Sequence, residues 1–256
     1  MVLALRRSES GTQGLRRILR ERIAKALEAL GGTKLSDEAV HSARKELKKA
    51  RATLRLLRDA LGDVVYKREN AALRDAARPL SEVRDAKVLL DTLDRLVERY
   101  GASARALQLD GLRRALRWEY VATRRRIMQQ PAALKPQRDA LRRIYERSAR
   151  WPVWHHEWSV IGAGLKRVYR EGRKVFATSR ADPSPENLHE WRKQVKYLWH
   201  QLQVLEPLRS GAIGALIRRT GSPTTSAIIM ICPCYIPRSR TAGRTRSGMP
   251  PRAARR

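Results

Sequence analysis

Apolar residues recur at steps of three or four along most of the chain up to about residue 220, the spacing of one helix face. The clearest case is the stretch 36–61, in which Ser36 is a predicted N-cap and Gly62-Asp63 a predicted break. Its apolar stripe consists of Val40, Ala43, Leu47, Ala50, Leu54, Leu57 and Leu61. We find no run of alternating β-branched residues, so the predicted fold class is all-α.

The same spacing predicts further helices on both sides of this stretch. Gly31-Gly32 should end the first helix, Pro79 should open a new one, and Gly101 should close the first half. Trp151-Pro152 should turn the chain into the second half, and Pro185 should open the last predicted helix. The other predicted helices span about 14–30, 64–78, 79–100, 103–130, 136–150, 157–179 and 185–205.

A row of bases lies beside the apolar stripe of the 36–61 helix. Its members are spaced so that they share one face, with neighbouring Cβ atoms roughly 5–6 Å apart. Acids are scarce among them, which favours a surface that binds a polyanion over an ordinary solvated face. The row consists of His41, Arg44, Lys45, Lys48, Arg51 and Arg55.

The sequence repeats this helix at an offset of 148 residues. Ser184 and Glu186 match Ser36 and Glu38, and the matching bases are His189, Arg192, Lys193 and Lys196. Upstream, at an offset of 150, the bases of the first helix are repeated as well: Arg16, Arg17 and Arg20 match Lys166, Arg167 and Arg170. The repetition predicts two similar helical halves: repeat one at about 14–101, connecting helices at about 103–150, and repeat two at about 157–220.

The net charge and the sequence motifs limit the classes of function that this chain can have. The chain has 256 residues and a net charge of +30, which indicates a polyanionic partner such as nucleic acid, inorganic polyphosphate or an anionic membrane. No apolar run approaches the ~20 residues of a membrane span, and the N-terminus lacks the pattern of a secretory signal, so we expect a cytoplasmic protein without a membrane partner. Catalytic and metal-binding motifs are missing, and the only cysteines are Cys232 and Cys234. We therefore expect no enzyme activity, no cofactor and no metal.

The paired H-x-x-R-K-x-x-K helices resemble the CHAD family, the conserved-histidine α-helical domains, over about residues 14–220. The segment with Leu80, Ser81, Arg84, Asp85, Val88 and Leu89 resembles another element of that family. The resemblance implies two four-helix bundles related by a pseudo-twofold axis, with a shared basic groove between them. It also implies binding of inorganic polyphosphate by basic residues along the helices, which we assign to all the bases named above, including the unrepeated Arg51 and Arg55. It implies as well an association with polyphosphate-metabolising enzymes and polyphosphate granules.

The tail differs in character from the rest of the chain. Residues 221–256 contain five prolines, seven arginines and no acid, which predicts disorder. The family's second L-G-x-x-x-D element should fall near residues 226–228 but is missing. When each new codon is begun at the third base of the original one, with permitted wobble bases, the codons of 221–232 can spell such an element. Our hypothesis is that the tail is a frameshift product and that repeat two is incomplete.

Several residues have a second interpretation. His41 and His189 could simply pack at helix interfaces, but their repetition favours anion contact; if so, binding should strengthen as the pH falls through the histidine range. Asp85 is expected to pair with a basic helix, and His155, His156 and His200 to be structural. The tryptophans that could stack on bases are expected to pack in the core instead: Trp151, Trp154, Trp158, Trp191 and Trp199.

Three alternatives to a non-catalytic polyphosphate-binding module remain open. The chain could bind nucleic acid without sequence preference, although we expect nucleic acid to be the weaker polyanion competitor. It could be a regulatory or targeting subunit of a polyphosphate enzyme, or it could be a polyphosphatase.

Overall fold

The computed structural model describes residues 4–6, 8–32, 35–106, 108–129, 134–151 and 158–205. These residues form helices and no strand, as expected for the all-α class. A π-helical turn, Arg125–Gln129, extends the fourth helix. The helices are α1 (Gly11–Ala29), α2 (Asp37–Leu56), α3 (Arg58–Ala106), α4 (Asp110–Arg124), α5 (Lys135–Ala149), α6 (Trp158–Ala181) and α7 (Pro185–Leu205).

The two histidine helices begin in the same way. Ser36 Oγ accepts a hydrogen bond from the Ala39 N–H at 3.2 Å, and Ser184 Oγ accepts one from the Asn187 N–H at 3.3 Å. These bonds satisfy amide groups that have no partner inside the first helical turn. The predicted Ser36 cap is thus confirmed, and so is Pro185 as the first residue of α7.

The predicted break at Gly62 is confirmed, and the chain is also interrupted at Gly101, because the backbone leaves helical geometry at both glycines, with φ values of 74° and 39°. The second helix nevertheless ends at Leu56 rather than Leu61, and Arg58 already begins α3. The predicted helix 103–130 is divided, because the chain turns at Gln108, which has a positive φ of 48°.

Pro79 opens no new helix, because α3 runs through it. Proline removes one backbone hydrogen bond and normally bends or ends a helix. Here Leu73, Ala76, Leu80 and Val83 are all buried, on both sides of the proline. Burial of this continuous apolar stripe offsets the missing hydrogen bond, which the local sequence rule does not take into account.

Helices α1, α2, α3 and α5 pack around the main core, whose fully buried residues include Leu15, Ile18, Leu47, Leu54 and Leu73. Helices α6 and α7 pair with each other around a smaller core of Val168, Val195, Leu198 and Leu202. As expected, Trp191 and Trp199 pack against this smaller core, and Trp151 is buried in the main one. The remainder of the predicted repeat two and the tail, 206–256, lie outside the described residues, as do Trp154, His155 and His156.

The α6–α7 pair is joined to the helices around the main core through α2 and through the N-terminal segment. Gln201 Nε2 on α7 donates a hydrogen bond to the Ala52 carbonyl on α2 at 3.2 Å, and the Leu5 N–H donates to the Val204 carbonyl at 3.0 Å. These contacts hold α7 alongside α2, so that the two histidine helices are neighbours. No helix in the described part of the chain is long and apolar enough to cross a membrane.

Gly164 marks the closest approach of α6 to α2, and replacing it should weaken the fold. A Cβ atom added there would lie 2.8 Å from the Leu56 carbonyl oxygen and 2.9 Å from the Leu56 Cα atom. Backbone atoms cannot move aside as a flexible side chain can, so we expect Gly164→Ala to lower the free energy of unfolding by about 1–3 kcal/mol in a urea titration.

Gly162 is the matched control, because it lies on the same helix and a Cβ added there meets nothing within 4 Å. Alanine is the better helix former, so Gly162→Ala should raise the free energy of unfolding by about 0.5–1 kcal/mol. Equal effects of the two substitutions would contradict the close packing of α6 on α2.

Candidate functional site: a basic surface between the histidine helices

The sides of α2 and α7 that face each other bring together bases from both repeats. Lys48 on α2 is close enough to Lys196 on α7 for their charges to repel. Arg55 on α2 stacks on the ring of Tyr197, with its guanidinium carbon 4.1 Å from the ring centroid. We call Arg44, Lys48, Arg51, Arg55 and Lys196 the α2–α7 surface.

The arginines of this surface, Arg44, Arg51 and Arg55, are partly buried, whereas Lys48 and Lys196 keep much of their surface in water. Burial lowers the pKa of Lys48 below its ordinary value, and the charges of Arg44 and Lys196 lower it further. Burial also lowers the pKa of Arg44 and of Arg51 from their ordinary values. The surface is therefore electrostatically unfavourable in isolation, and a polyanion bound there would relieve the repulsion.

Two of the arginines have protein partners that orient them. Arg44 Nη2 lies 3.3 Å from Asp85 Oδ1, which confirms the expectation that Asp85 pairs with a basic helix. Arg51 Nε donates to Asn70 Oδ1 at 3.1 Å. Nε of Arg44 and Nε of Arg55 are buried and have no hydrogen-bond acceptor among the described residues. Each of these guanidinium groups makes only one or two contacts with the protein, so its other N–H donors are available for an anion.

His41 is exposed near the N-terminal end of the same helix. Its pKa lies below the ordinary value, first because of partial burial and then because of the positive charges of Arg84, Lys45, Arg44 and Lys48. The imidazole is therefore mainly neutral at pH 7 in the free protein. A phosphate chain placed among these cations would favour the protonated ring.

Binding of a polyanion is accordingly expected to be coupled to proton uptake at His41. Above both its free and its bound pKa the ring stays neutral, and affinity does not change with pH. As the pH falls through the bound pKa towards the free one, affinity should rise, and His41→Asn should reduce that rise. Binding isotherms between pH 7.5 and pH 5.5 measure the effect; identical pH profiles for both proteins would contradict a role for His41.

The other predicted bases of the two histidine helices are at the surface. Lys193 pairs with Glu190 at 2.6 Å on its own helix. Lys45, His189 and Arg192 are exposed, and no hydrogen bond or ion pair joins them to another described residue. His200 is instead buried and stacked on Trp199, and burial lowers its pKa to about 4, as a structural residue would show.

The repeated bases of α1 contact α5 and the N-terminal segment, and no hydrogen bond in the described part of the chain joins them to α7. Arg17 is held by Glu9, by Glu21 and by the Ala4 carbonyl. Arg20 donates to the Tyr145 carbonyl at 2.5 Å and lies over the Tyr145 ring, and Arg16 Nη1 donates to the Ala149 carbonyl at 3.4 Å. These three arginines thus have structural roles in joining α1 to its neighbours, which their spacing in the sequence did not reveal.

The matching bases of α6 face the beginning of α3. Arg167 forms an ion pair with Asp59, while Lys166 and Arg170 line an open cleft. The structure therefore places most of the predicted bases in the α2–α7 surface, the α1–α5 contact and the α3–α6 cleft, and leaves the others on the exposed sides of α2 and α7: His41, Lys45, His189, Arg192 and Lys193.

Sequence reasoning missed several residues near these sites. Tyr197, which directly follows Lys196, stacks under Arg55. It could have been found as the neighbour of a residue that the repeats had singled out. Arg58 and Lys174 also line the α3–α6 cleft, although the repeat pattern matches neither of them to a base.

In the described part of the chain, no cluster of three or more His, Cys, Asp or Glu side chains is placed to hold a metal ion.

Comparison with protein families matches residues 17–221 to the CHAD domain. Neither the curated proteins nor the solved structures that were searched give a match.

Proposed function

Because the chain belongs to the CHAD domain family, we propose that it binds inorganic polyphosphate on the α2–α7 surface, as a module without catalytic activity. The observation that carries the proposal is the packing of α2 against α7. This packing lays the Arg55 guanidinium 4.1 Å from the centroid of the Tyr197 ring. It also brings the matching bases Lys48 and Lys196 within electrostatic reach of each other. Like charges that face each other cost stability, so their placement beside Arg51 and Arg55 favours a role in holding an anion.

The chemistry of the surface suits a phosphate chain. Guanidinium groups offer two parallel donors to a phosphate, and ammonium groups act as mobile point charges. Polyphosphate carries only charge and oxygen acceptors, and this surface consists of charge and donors. Base stacking, on which single-stranded nucleic acid depends, would need accessible aromatic faces. Trp191 and Trp199 on α7 are instead packed against the smaller core.

A salt titration tests the proposal. Labelled long-chain polyphosphate is titrated with the protein at several salt concentrations, and the logarithm of the affinity is plotted against the logarithm of salt concentration. Binding by several cations releases counterions, so the plot should be linear and steep, with a slope that grows with the number of contacts. Lack of binding at low salt would refute the proposal.

The absence of catalysis is part of the proposal and has its own measurement. Free phosphate is followed over time after long-chain polyphosphate is mixed with the protein, with and without added Mg²⁺ or Mn²⁺. We expect no release above that of a protein-free control. Sustained release that depends on protein concentration would make the chain a polyphosphatase.

We also propose where in the cell the chain acts and with which kind of partner. A module of this kind would place a polyphosphate-metabolising enzyme on its substrate in the cytoplasm, at polyphosphate granules. Pull-down before and after enzymatic removal of polyphosphate distinguishes two cases. A partner that is lost with the polymer is held through it, whereas a partner that persists makes the chain a subunit that binds the enzyme directly.

A further inference from the structure

The cleft between α3 and α6 contains cations that the fold does not use. It has a volume of ≈ 670 Å³ and is lined by Arg58, Asp59, Asp63, Ala163, Lys166, Arg167, Arg170, Glu171 and Lys174. Arg58 Nε pairs with Asp63 at 2.9 Å, and Arg167 pairs with Asp59. The remaining bases, Lys166, Arg170 and Lys174, have no hydrogen-bond or ion-pair partner within the described ranges.

A second cleft, between α1 and α5, provides an internal comparison. Its volume is ≈ 480 Å³, and the α1 residues that line it are Gln13, Arg16, Arg17, Arg20, Glu21 and Ala24. Each of these positions is matched, at an offset of 150, by an α6 residue that lines the α3–α6 cleft. The two clefts thus use the same face of a repeated helix.

The two copies differ in what their bases contact. In the α1–α5 cleft, Arg16, Arg17 and Arg20 all donate to protein carbonyls or carboxylates. In the α3–α6 cleft, the equivalents of Arg16 and Arg20 are Lys166 and Arg170, which have no such acceptor among the described residues. Lys174 adds a third base where α1 has Ala24. One copy therefore stabilises the fold, whereas the other keeps its charges available for a ligand.

The α3–α6 cleft begins along the chain just after the last α2 base of the α2–α7 surface. Arg55 belongs to that surface, and Arg58, only three residues further along the chain, lines the cleft. Three carboxylates also line the cleft. Asp59 and Asp63 are each engaged by an arginine, so that only the exposed Glu171 opposes this extension with an unpaired charge in the described structure. A phosphate chain that leaves the surface at Arg55 therefore meets cations again within the cleft.

We propose that the α3–α6 cleft is a second phosphate-binding segment, in which Lys166, Arg170 and Lys174 hold a further stretch of the same polyphosphate chain. This inference rests on the proposed function, because it assigns the cleft to the ligand of the α2–α7 surface. A long chain can occupy both places at once and gains affinity by linking them, whereas tripolyphosphate can occupy only one place at a time.

The test is calorimetric titration of the full chain with tripolyphosphate and with long-chain polyphosphate. We expect the wild type to bind two tripolyphosphates. The triple variant Lys166→Ala, Arg170→Ala, Lys174→Ala should bind one, and its affinity for the long chain should fall roughly tenfold or more. Its melting temperature should not fall, because the three side chains form no hydrogen bond or ion pair in the described structure.

A control variant with the same change in charge is Lys25→Ala, Arg143→Ala, Arg150→Ala, on exposed positions of α1 and at the C-terminal end of α5. If the cleft variant binds both ligands as this control does, while Lys48→Ala with Lys196→Ala weakens binding, the inference fails and the proposed function stands. If the cleft variant loses affinity and the Lys48/Lys196 variant does not, the α2–α7 surface is refuted as the main site. If the wild type binds neither ligand, both proposals fail.

Discussion

Replacing Glu46 with alanine is expected to lower the free energy of unfolding by about 3–5 kcal/mol. Glu46 Oε2 lies 2.8 Å from Arg22 Nη1, and only 8% and 6% of the two side chains are exposed. Lys49 approaches the same carboxylate at 3.3 Å. Removal of Glu46 leaves the buried guanidinium of Arg22 without this carboxylate, and a buried charge is costly when its counter-charge is lost.

The matched control is Glu82→Ala, which removes an ion pair of similar length. Glu82 Oε2 is 2.8 Å from Arg126 Nη2, but both side chains are largely exposed. Exposed pairs contribute about 0–1 kcal/mol, so this variant should unfold almost as the wild type does. Equal destabilisation of the two variants in urea titrations would contradict the buried pair.

The Glu46 carboxylate should also make the free energy of unfolding depend on pH. Burial by itself raises the pKa of Glu46, but the hydrogen bond and charge of Arg22, together with Lys49, lower it below its ordinary value. A lowered pKa in the folded state contributes stability above the pKa of the unfolded chain, and that contribution is lost as the pH falls through the folded pKa. Glu46→Ala should therefore lose less stability than the wild type on acidification.

The double substitution Lys48→Ala with Lys196→Ala is expected to weaken polyphosphate binding at least tenfold without weakening the fold. Hydrogen bonds to charged groups contribute roughly 1.5–3 kcal/mol each, and each lost phosphate contact should lower the steepness of the salt plot by about one unit. The two lysines repel each other, and burial disfavours the charge of Lys48. The melting temperature should therefore stay constant or rise.

The control for this pair is Lys25→Ala with Arg143→Ala, which removes two charges from exposed positions on α1 and α5. A general effect of net charge would weaken binding equally in both double variants. A local site at α2 and α7 would leave the control close to the wild type. A fall in affinity accompanied by a fall in melting temperature would mean that the lysines act through the fold.

Much of the fold could be predicted from helical spacing and capping residues. Ser36, Ser184 and Pro185 mark helix starts because their side chains or ring determine local backbone geometry. The helix through Pro79 could not be predicted in this way, because what sustains it is burial of residues on both sides, a tertiary effect. The turn at Gln108 could not be predicted either, because glutamine gives no signal for a positive φ.

The candidate site could be predicted only in part. Helical spacing correctly placed Lys48, Arg51 and Arg55 on one side of α2, and the repetition singled out Lys196 as the counterpart of Lys48. Spacing cannot distinguish a free base from a paired one, however. Arg17 and Lys166 come from matching helix faces, yet Arg17 is engaged by Glu9 and Glu21. Only the three-dimensional neighbours reveal that difference.

The most direct test of polyphosphate binding is competition at equal phosphate concentration. The full chain is bound to labelled long-chain polyphosphate at near-physiological salt and challenged with unlabelled polyphosphate, single-stranded DNA or duplex DNA. We predict that unlabelled polyphosphate displaces the label at a concentration at least tenfold lower than either DNA does. Displacement by DNA at the same phosphate concentration, with no effect of Lys48→Ala and Lys196→Ala, would contradict the account and indicate general affinity for polyanions.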